Sequence, residues 1–330
     1  MPAGWISLPA FAKINLALEL LGCRSDAYTE LRTVYQTVTL HDRLRMRLAP
    51  AGAGIVVHVP GGGAPAGRAN LIYFALASAR RALGLRRGVE VALEKNISEA
   101  SGLGGGSSDA AAAIVGLLRL AGERLPAAEL ARLGRETGAD VAYFFLGGRA
   151  LGVGRGDEVY PLEDGEAEWV VLVTPSLAIS TRKAYRWAAA RLTLPRRPAI
   201  IPPRRLPPDA LWTAGNDFEA VVFPRFPELA RIKRALLRAG ARRAGLSGSG
   251  STVFGLFARR AAAEWAAALW ARRAAVFLGE TLPRARYRRA LGLDAVLADG
   301  ESSSGRTSAF GAEDPGSNPG SPAIFAGGGS

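Results

Sequence analysis

The chain has 330 residues, 48% of them hydrophobic, enough to bury two cores and to exclude a peptide, a tail or a wholly disordered protein. Lys and Arg number 42 against 29 Asp and Glu, a formal charge of +13; residues 1–181 carry 18 of each sign, whereas residues 182–289 carry 23 basic against 6 acidic. One cysteine, Cys23, excludes an intramolecular disulfide and a cysteine metal cluster, two histidines leave little for a zinc site, and no apolar run approaches the ~20 residues of a membrane span.

In chain order, Ala12–Leu21 reads as a strand with Lys13 and Asn15 set among apolar residues, and Val34–Leu48 as a β-rich stretch turning at Leu40–Arg43. Ile55–Val59 is a short strand closed by Pro60 and three glycines; Asn70 then stands where a helix cap belongs before Leu71–Leu83. Val89, Val91 and Leu93 alternate with Glu90, Ala92 and Glu94, a half-buried strand. Pro161 and the acidic segment Glu163–Glu166 mark a break before the strand Trp169–Thr174, which divides the chain into 1–165 and 166–298. Beyond it, Arg182–Arg191, Glu228–Ala239 and Ala261–Arg273 read as helices, Ala244–Leu246 and Val253–Phe257 as strands, and the Pro- and Arg-rich Leu194–Pro208 as a loop. Residues 299–330, with 18 Gly, Ser or Pro among 32, read as a disordered tail. Within that tail, Gly316–Pro322 matches the translation of a transfer-RNA gene's T-arm; it is either read-through of such a gene or an ordinary flexible segment, which the 3′ nucleotide sequence decides. Strands and helices in both halves, without a strict βαβ rhythm, predict an α+β protein of two sandwiches.

The strongest local signal is Ser101-Gly102-Leu103-Gly104-Gly105-Gly106-Ser107-Ser108-Asp109, leading from a strand into the helical run Ala110–Leu120. Glycines let backbone N–H groups close around an anion, and a helix N-terminus adds unpaired donors. No Gly-Lys-Ser/Thr closes the loop, and Ser107 stands where a dinucleotide fingerprint has its third glycine. A plain helix-capping turn is the structural alternative. Ser247-Gly248-Ser249-Gly250-Ser251 is a second, weaker loop; together the two suggest a polyphosphate held from two sides. Asp140 is the one acid in the apolar run Gly138–Phe145, so its burial predicts a cationic partner, and Lys13 is the matching oddity, as a structural ion pair or as a reactive one.

Taken together, these segments resemble the GHMP kinases over roughly residues 8–297. Ala10–Leu16 resembles that family's first motif, SGLGGGSSDAAA its ATP-phosphate loop, Gly138–Val141 its catalytic segment and Ser247–Ser251 its third motif. Gly22–Leu31, Asn70–Tyr73, Gly154–Gly156, Ser180-Thr181 and Asn216–Glu219 narrow the resemblance to the branch that acts on a cytidine-diphosphate polyol, CDP-methylerythritol, in non-mevalonate isoprenoid synthesis. The resemblance implies a two-domain fold: an N-terminal half like ribosomal protein S5 domain 2 and a ferredoxin-like C-terminal α/β sandwich. It implies ATP and Mg²⁺, with Asp140 as base, Lys13 orienting it, and Asn15 placing the alcohol. Gly102 to Ser108 and Ser247-Gly248 would hold the phosphates, Ser107 or Ser108 would lie near the metal, and Asn70 and Lys95 would line the adenine side. Tyr28 and Tyr185 would face the cytosine, with Thr29 at its edge.

Three departures stand out. Asp26-Ala27-Tyr28-Thr29 replaces Asp-Gly-Tyr-His, Ile97-Ser98-Glu99 replaces Ile-Pro, and Ala142 replaces a proline. Weaker cytosine recognition at Thr29 and repulsion of phosphate by Glu99 are the expected consequences. Another GHMP small-molecule kinase, or a basic RNA-binding protein without kinase activity, are the competing readings. The retained Lys13, Asp140 and glycine loop favour a cytoplasmic kinase, monomer or homodimer, that takes a small molecule and neither nucleic acid nor membrane.

Overall fold

The computed structural model describes residues 4–23, 29–190 and 215–298. The expected tail 299–330, the loop 194–208 and Tyr28 lie outside the described residues. No helix among the described residues is long and apolar enough to cross a membrane.

Two long strands, β1 (Ile6–Cys23) and β2 (Thr29–Ala51), pair antiparallel from Ile6↔Met46 to Cys23↔Thr29. The other edge of β2 is shared: β4 (Arg87–Glu94) takes its C-terminal half and β5 (Arg149–Gly154) takes Leu31–Gln36. β3 (Ile55–His58) adds parallel to β4, and β6 (Glu158–Pro161) antiparallel to β5. The turn expected at Leu40–Arg43 does not form, and β2 runs straight through it. A buried carboxylate is tolerated there because Asp42, fully buried, accepts from the amides of Asn96 (2.5 Å) and Ile97 (2.8 Å) and from Lys95 Nζ (2.5 Å).

Three helices cover this sheet. In α1 (Leu71–Ala82) the residues Ile72, Ala75, Leu76 and Ala79 form one buried stripe, and Asn70 caps it by accepting from the Ile72 amide at 2.9 Å. α2 (Gly105–Ala121) is buried all round from Ser108 to Leu118. Small residues make that possible: a Cβ at Gly116 would stand 2.5 Å from Met46 Sδ. α3 (Ala127–Thr137) packs against α1.

The second sheet contains β7 (Trp169–Thr174), β8 (Arg243–Leu246), β9 (Val253–Phe257) and β10 (Ala275–Glu280), all antiparallel in the order β10-β7-β9-β8. α4 (Thr181–Ala189), α5 (Glu219–Val222) and α6 (Pro227–Arg238) lie between β7 and β8, and α7 (Arg260–Ala268) between β9 and β10. This is the βαββαβ order of a ferredoxin-like sandwich. The helix expected over 261–273 stops at Ala268, and α3, β5, β6, β10 and the last helix α8 (Arg284–Leu291) are elements the sequence patterns did not reveal.

Between the two sheets, Ile14, Leu16, Val34 and Val38 meet Val170, Leu172, Phe254 and Leu256. The expected boundary at 165 falls in the link between β6 and β7. The chain then crosses back: Leu282, Tyr287, Leu291 and Leu293 join the core of the first sheet, and Tyr287 Oη donates to Phe144 O at 2.5 Å.

Candidate active site

The two glycine-rich loops close on each other. Gly102 and Gly104 adopt left-handed backbone (φ +80° and +72°), and a Cβ at Gly102 would stand 2.1 Å from the Ser247 carbonyl oxygen. Ser247 Oγ donates to Gly102 O at 2.9 Å and the Thr252 amide to Ser101 O at 3.1 Å. α2 starts at Gly105, inside the loop rather than at Ala110, so the amides of its first turn belong to the glycine segment itself.

A cleft of about 1150 Å³ opens at this point. Gly102, Leu103, Gly104, Gly105, Gly106 and Ser107 line it, as do Asn70 and Lys95. Thr29, Tyr185 and Gly248 line it too, with Lys13, Asn15 and Asp140. Among the described residues, two expected ligands are not in the lining. Ser108 is buried in α2, and Ser247 is buried with its hydroxyl committed to Gly102. Gly248 and Ser249 are the members of the second loop that reach the cleft, so that loop acts mainly by bracing the first. Ser98 and Glu99 are exposed and also line the cleft.

Asp140 is not the buried acid that its apolar neighbours suggest. Ala142–Phe145 form a buried 3-10 turn, but the Asp140 side chain ahead of it is 31% exposed and faces the cleft. Lys13 lies 3.4 Å from Asp140 Oδ2 and donates to Asn15 Oδ1 at 2.8 Å. Asn15 Nδ2 in turn donates to Thr33 Oγ1 at 2.7 Å, and Thr33 to Ala17 O at 2.7 Å. The Lys13 amide donates to Leu103 O at 3.0 Å, which fixes β1 against the glycine loop. Gly104 leaves room for this: its Cβ would meet Lys13 Cε and Phe144 Cζ at 3.1 Å.

Asp140 has a second partner that sequence reasoning missed. Tyr35 Oη donates to Asp140 Oδ1 at 3.1 Å. In sequence, Tyr35 is one aromatic in a β-rich stretch and reads as core; only the register that places Asn15 beside it across β1 and β2 brings it to the site. Burial, and then the Asp140 charge, push the Tyr35 hydroxyl well above its usual range, so it holds its proton. The same two causes raise Tyr185. The Tyr185 ring stands edge-on to Phe218, with centroids 4.9 Å apart.

Lys95 is doubly held. Its ammonium donates to Asp42 Oδ2 at 2.5 Å and to Asp109 Oδ2 at 2.9 Å, while Asp109 Oδ1 is buried without a hydrogen-bond partner. Burial works against the Lys95 charge, but Asp109 and Asp42 raise its proton affinity. One lysine does not neutralise two buried carboxylates. Burial first, with the Asp42 charge also raising it against the lowering by Lys95, pushes Asp109 up to about 8 from 3.8. The folded protein therefore keeps a proton that the unfolded chain releases, and this group's contribution to stability falls as pH rises between those two values. Thermal melts of wild type and Asp109→Asn from pH 5 to 8.5 are expected to diverge, with the wild type losing more stability; parallel curves would refute this assignment.

A phosphate-type glycine loop, braced from a second unit and facing a Lys/Asp pair across one cleft, defines the class of small-molecule kinases, and sequence comparison agrees. Residues 70–148 match the family described as GHMP kinases N terminal domain, and residues 208–274 the one described as GHMP kinases C terminal. The 4-diphosphocytidyl-2-C-methyl-D-erythritol kinase of Solibacter usitatus (strain Ellin6076) is 42% identical over 265 residues, covering 77% of this chain and 81% of that one. The enzyme of the same description from Moorella thermoacetica (strain ATCC 39073 / JCM 9320) is 40% identical over 293 residues, 87% of this chain and 99% of that one. A crystal structure of 4-(cytidine 5'-diphospho)-2C-methyl-D-erythritol kinase superposes with a TM-score of 0.70 at 34% identity, covering 84% of this chain and 99% of that one. A homoserine kinase from Cytophaga hutchinsonii ATCC 33406, at 18% identity, 86% and 96% coverage and a TM-score of 0.62, shares the fold. The chain belongs to the GHMP kinases, in the branch of the 4-diphosphocytidyl-2-C-methyl-D-erythritol kinases.

Proposed function

We propose that the protein transfers the γ-phosphoryl group of ATP to the 2-hydroxyl of CDP-methylerythritol, giving the 2-phosphate and ADP, as a cytoplasmic step of non-mevalonate isoprenoid synthesis. The observation that carries this reading is the Lys13–Asp140 pair, 3.4 Å apart, in the same cleft as the glycine loop. Phosphoryl transfer asks little covalent chemistry of a protein and much positioning and charge stabilisation. In this reading Asp140 takes the proton of the 2-hydroxyl as its oxygen bonds to the γ-phosphorus, and the bond to the ADP oxygen breaks. Lys13 orients Asp140 and offsets the negative charge developing on the transferred group, and Asn15, which positions Lys13, also reaches the alcohol.

The first-turn amides of α2 and the glycine segment would hold the phosphates, Asn70 and Lys95 the nucleoside end, and Gly248 would close from the second unit. Thus 1–165 would supply the nucleotide site, and 166–298 the aromatic face of Tyr185 for the cytosine, with Thr29 at its edge. The donor set fits Mg²⁺ brought in on the nucleotide: among the described residues no three His, Cys, Asp or Glu come together as a metal site, while Ser107 lines the cleft at the start of α2. Bound there, Mg²⁺ would neutralise phosphate charge. One chain supplies every one of these groups, which suits a monomer or a homodimer.

An ADP-release assay tests the reading. Turnover with CDP-methylerythritol and none with the bare polyol is expected, and the reverse would point to another alcohol substrate. In the same assay Tyr185→Ala is expected to weaken the cytidine substrate by ~1–3 kcal/mol, by analogy with base stacking elsewhere, and to spare ATP. Equal loss for both ligands would remove Tyr185 from the cytosine site.

A further inference from the structure

We propose that Tyr35 is a positioning residue that acts through Asp140, and that Gly152 and Gly156 exist largely to seat it. The proposal rests on Asp140 as the base, as argued above. Tyr35 is 2% exposed on β2, and its hydroxyl holds Asp140 Oδ1 at 3.1 Å while Lys13 holds Oδ2 at 3.4 Å. With each oxygen tied to a different strand, the carboxylate plane cannot turn, and the remaining lone pairs keep one direction into the cleft. A half-exposed carboxylate held by Lys13 alone would be free to swing about that single contact.

The ring is itself held from several sides. Tyr143 lies against it with centroids 4.7 Å apart, and Tyr143 is fixed by Thr37 Oγ1 and Gly148 O, each at 2.7 Å. Lys13 Nζ sits 5.5 Å from the Tyr35 ring centroid, so one side chain touches both members of the ion pair. Space for the ring comes from two glycines. A Cβ at Gly152 would stand 2.6 Å from Tyr35 Cε2, and a Cβ at Gly156, where φ is +90°, 2.6 Å from Tyr35 Oη. This gives a physical reason for Gly156 in a motif whose chemistry is otherwise unassigned.

The Gly156 carbonyl oxygen lies 3.3 Å from Tyr35 Oη, so one hydroxyl proton has two acceptors. In the resting site it goes to the Asp140 carboxylate. Once Asp140 has taken the substrate's proton, the Tyr35 proton turns to Gly156 O, and the freed lone pair on Oη accepts from the new Asp140 carboxyl. No proton leaves the site, and the neutral acid keeps its place until product departs.

The experiment is Tyr35→Phe, which keeps the ring and removes only the hydroxyl, made alone and together with Asp140→Asn. The expected single-variant result is a kcat about tenfold lower, with KM for ATP and for the cytidine substrate within about twofold and an unchanged melting temperature. In the Asp140→Asn background the same change is expected to cost nothing further, because the two act as one unit. A wild-type kcat for Tyr35→Phe, a rise confined to the substrate KM, or full additivity of the two losses would each overturn the role of Tyr35. An undiminished Asp140→Asn enzyme would instead overturn the proposed base on which the inference stands.

Discussion

Asp140→Asn is expected to lower turnover by about 10²-fold or more while ATP affinity stays within about twofold. The amide keeps the size and the planar shape of the carboxylate, and its oxygen can still accept from Tyr35, so neither packing nor the cleft should change. What disappears is the carboxylate that the proposed mechanism assigns to take the alcohol's proton. Lys13 does not become a stranded buried charge, because it retains the Asn15 Oδ1 acceptor at 2.8 Å; a large fall in stability is therefore not expected, and a melting curve separates loss of chemistry from loss of fold. Turnover within a few-fold of wild type would remove Asp140 from the base role, and a parallel loss of ATP binding would show that it supports the nucleotide loop instead.

The second large effect is expected at Gly102. Its left-handed backbone already disfavours any side chain, and a Cβ would collide with the Ser247 carbonyl 2.1 Å away, which is backbone and has no rotamer to yield. Gly102→Ala is expected to cost ~2–4 kcal/mol and to lower Tm by on the order of 10 °C, with nucleotide affinity falling as the two loops part. Gly106 is the internal control: it lies one residue into α2, and a Cβ there meets nothing within 4 Å. Gly106→Ala should be neutral or stabilising by up to ~1 kcal/mol. Equal losses at the two positions in calorimetry would mean that loop contact is not what makes Gly102 necessary.

The contrast between these two glycines shows where sequence reading stops. Both belong to one legible motif, and its meaning as an anion cradle follows from residue chemistry alone. That one glycine is needed for contact with residues 145 positions away and the other is not follows only from the closed pair of loops. Asp42 makes the same point. Beside His41 and Arg43 it reads as an exposed turn, because a charged residue in a strand ordinarily seeks water; in the fold it is buried, where Lys95 and two backbone amides satisfy it. Ser247 was legible as part of a third motif but not as a brace, since the partner of its hydroxyl, Gly102 O, comes from the other unit.

Residue chemistry by itself pointed to a polyphosphate site: a glycine loop running into a helix, and an acid and a lysine each out of place in apolar segments; the resemblance of those motifs to the GHMP kinases supplied the class and the aromatics expected to face the cytosine. Those signals are local, because phosphate binding, helix capping and the cost of a lone buried charge depend on neighbouring residues in the chain. Tertiary structure alone decided which of them meet. The register of β1 against β2 brings Tyr35 beside Asn15 and onto Asp140, the return of residues 282–297 completes the first core, and the docking of loop 247–251 on Gly102 joins the two units. These are contacts between distant segments, set by strand pairing and core packing, and local sequence pattern does not encode their partners.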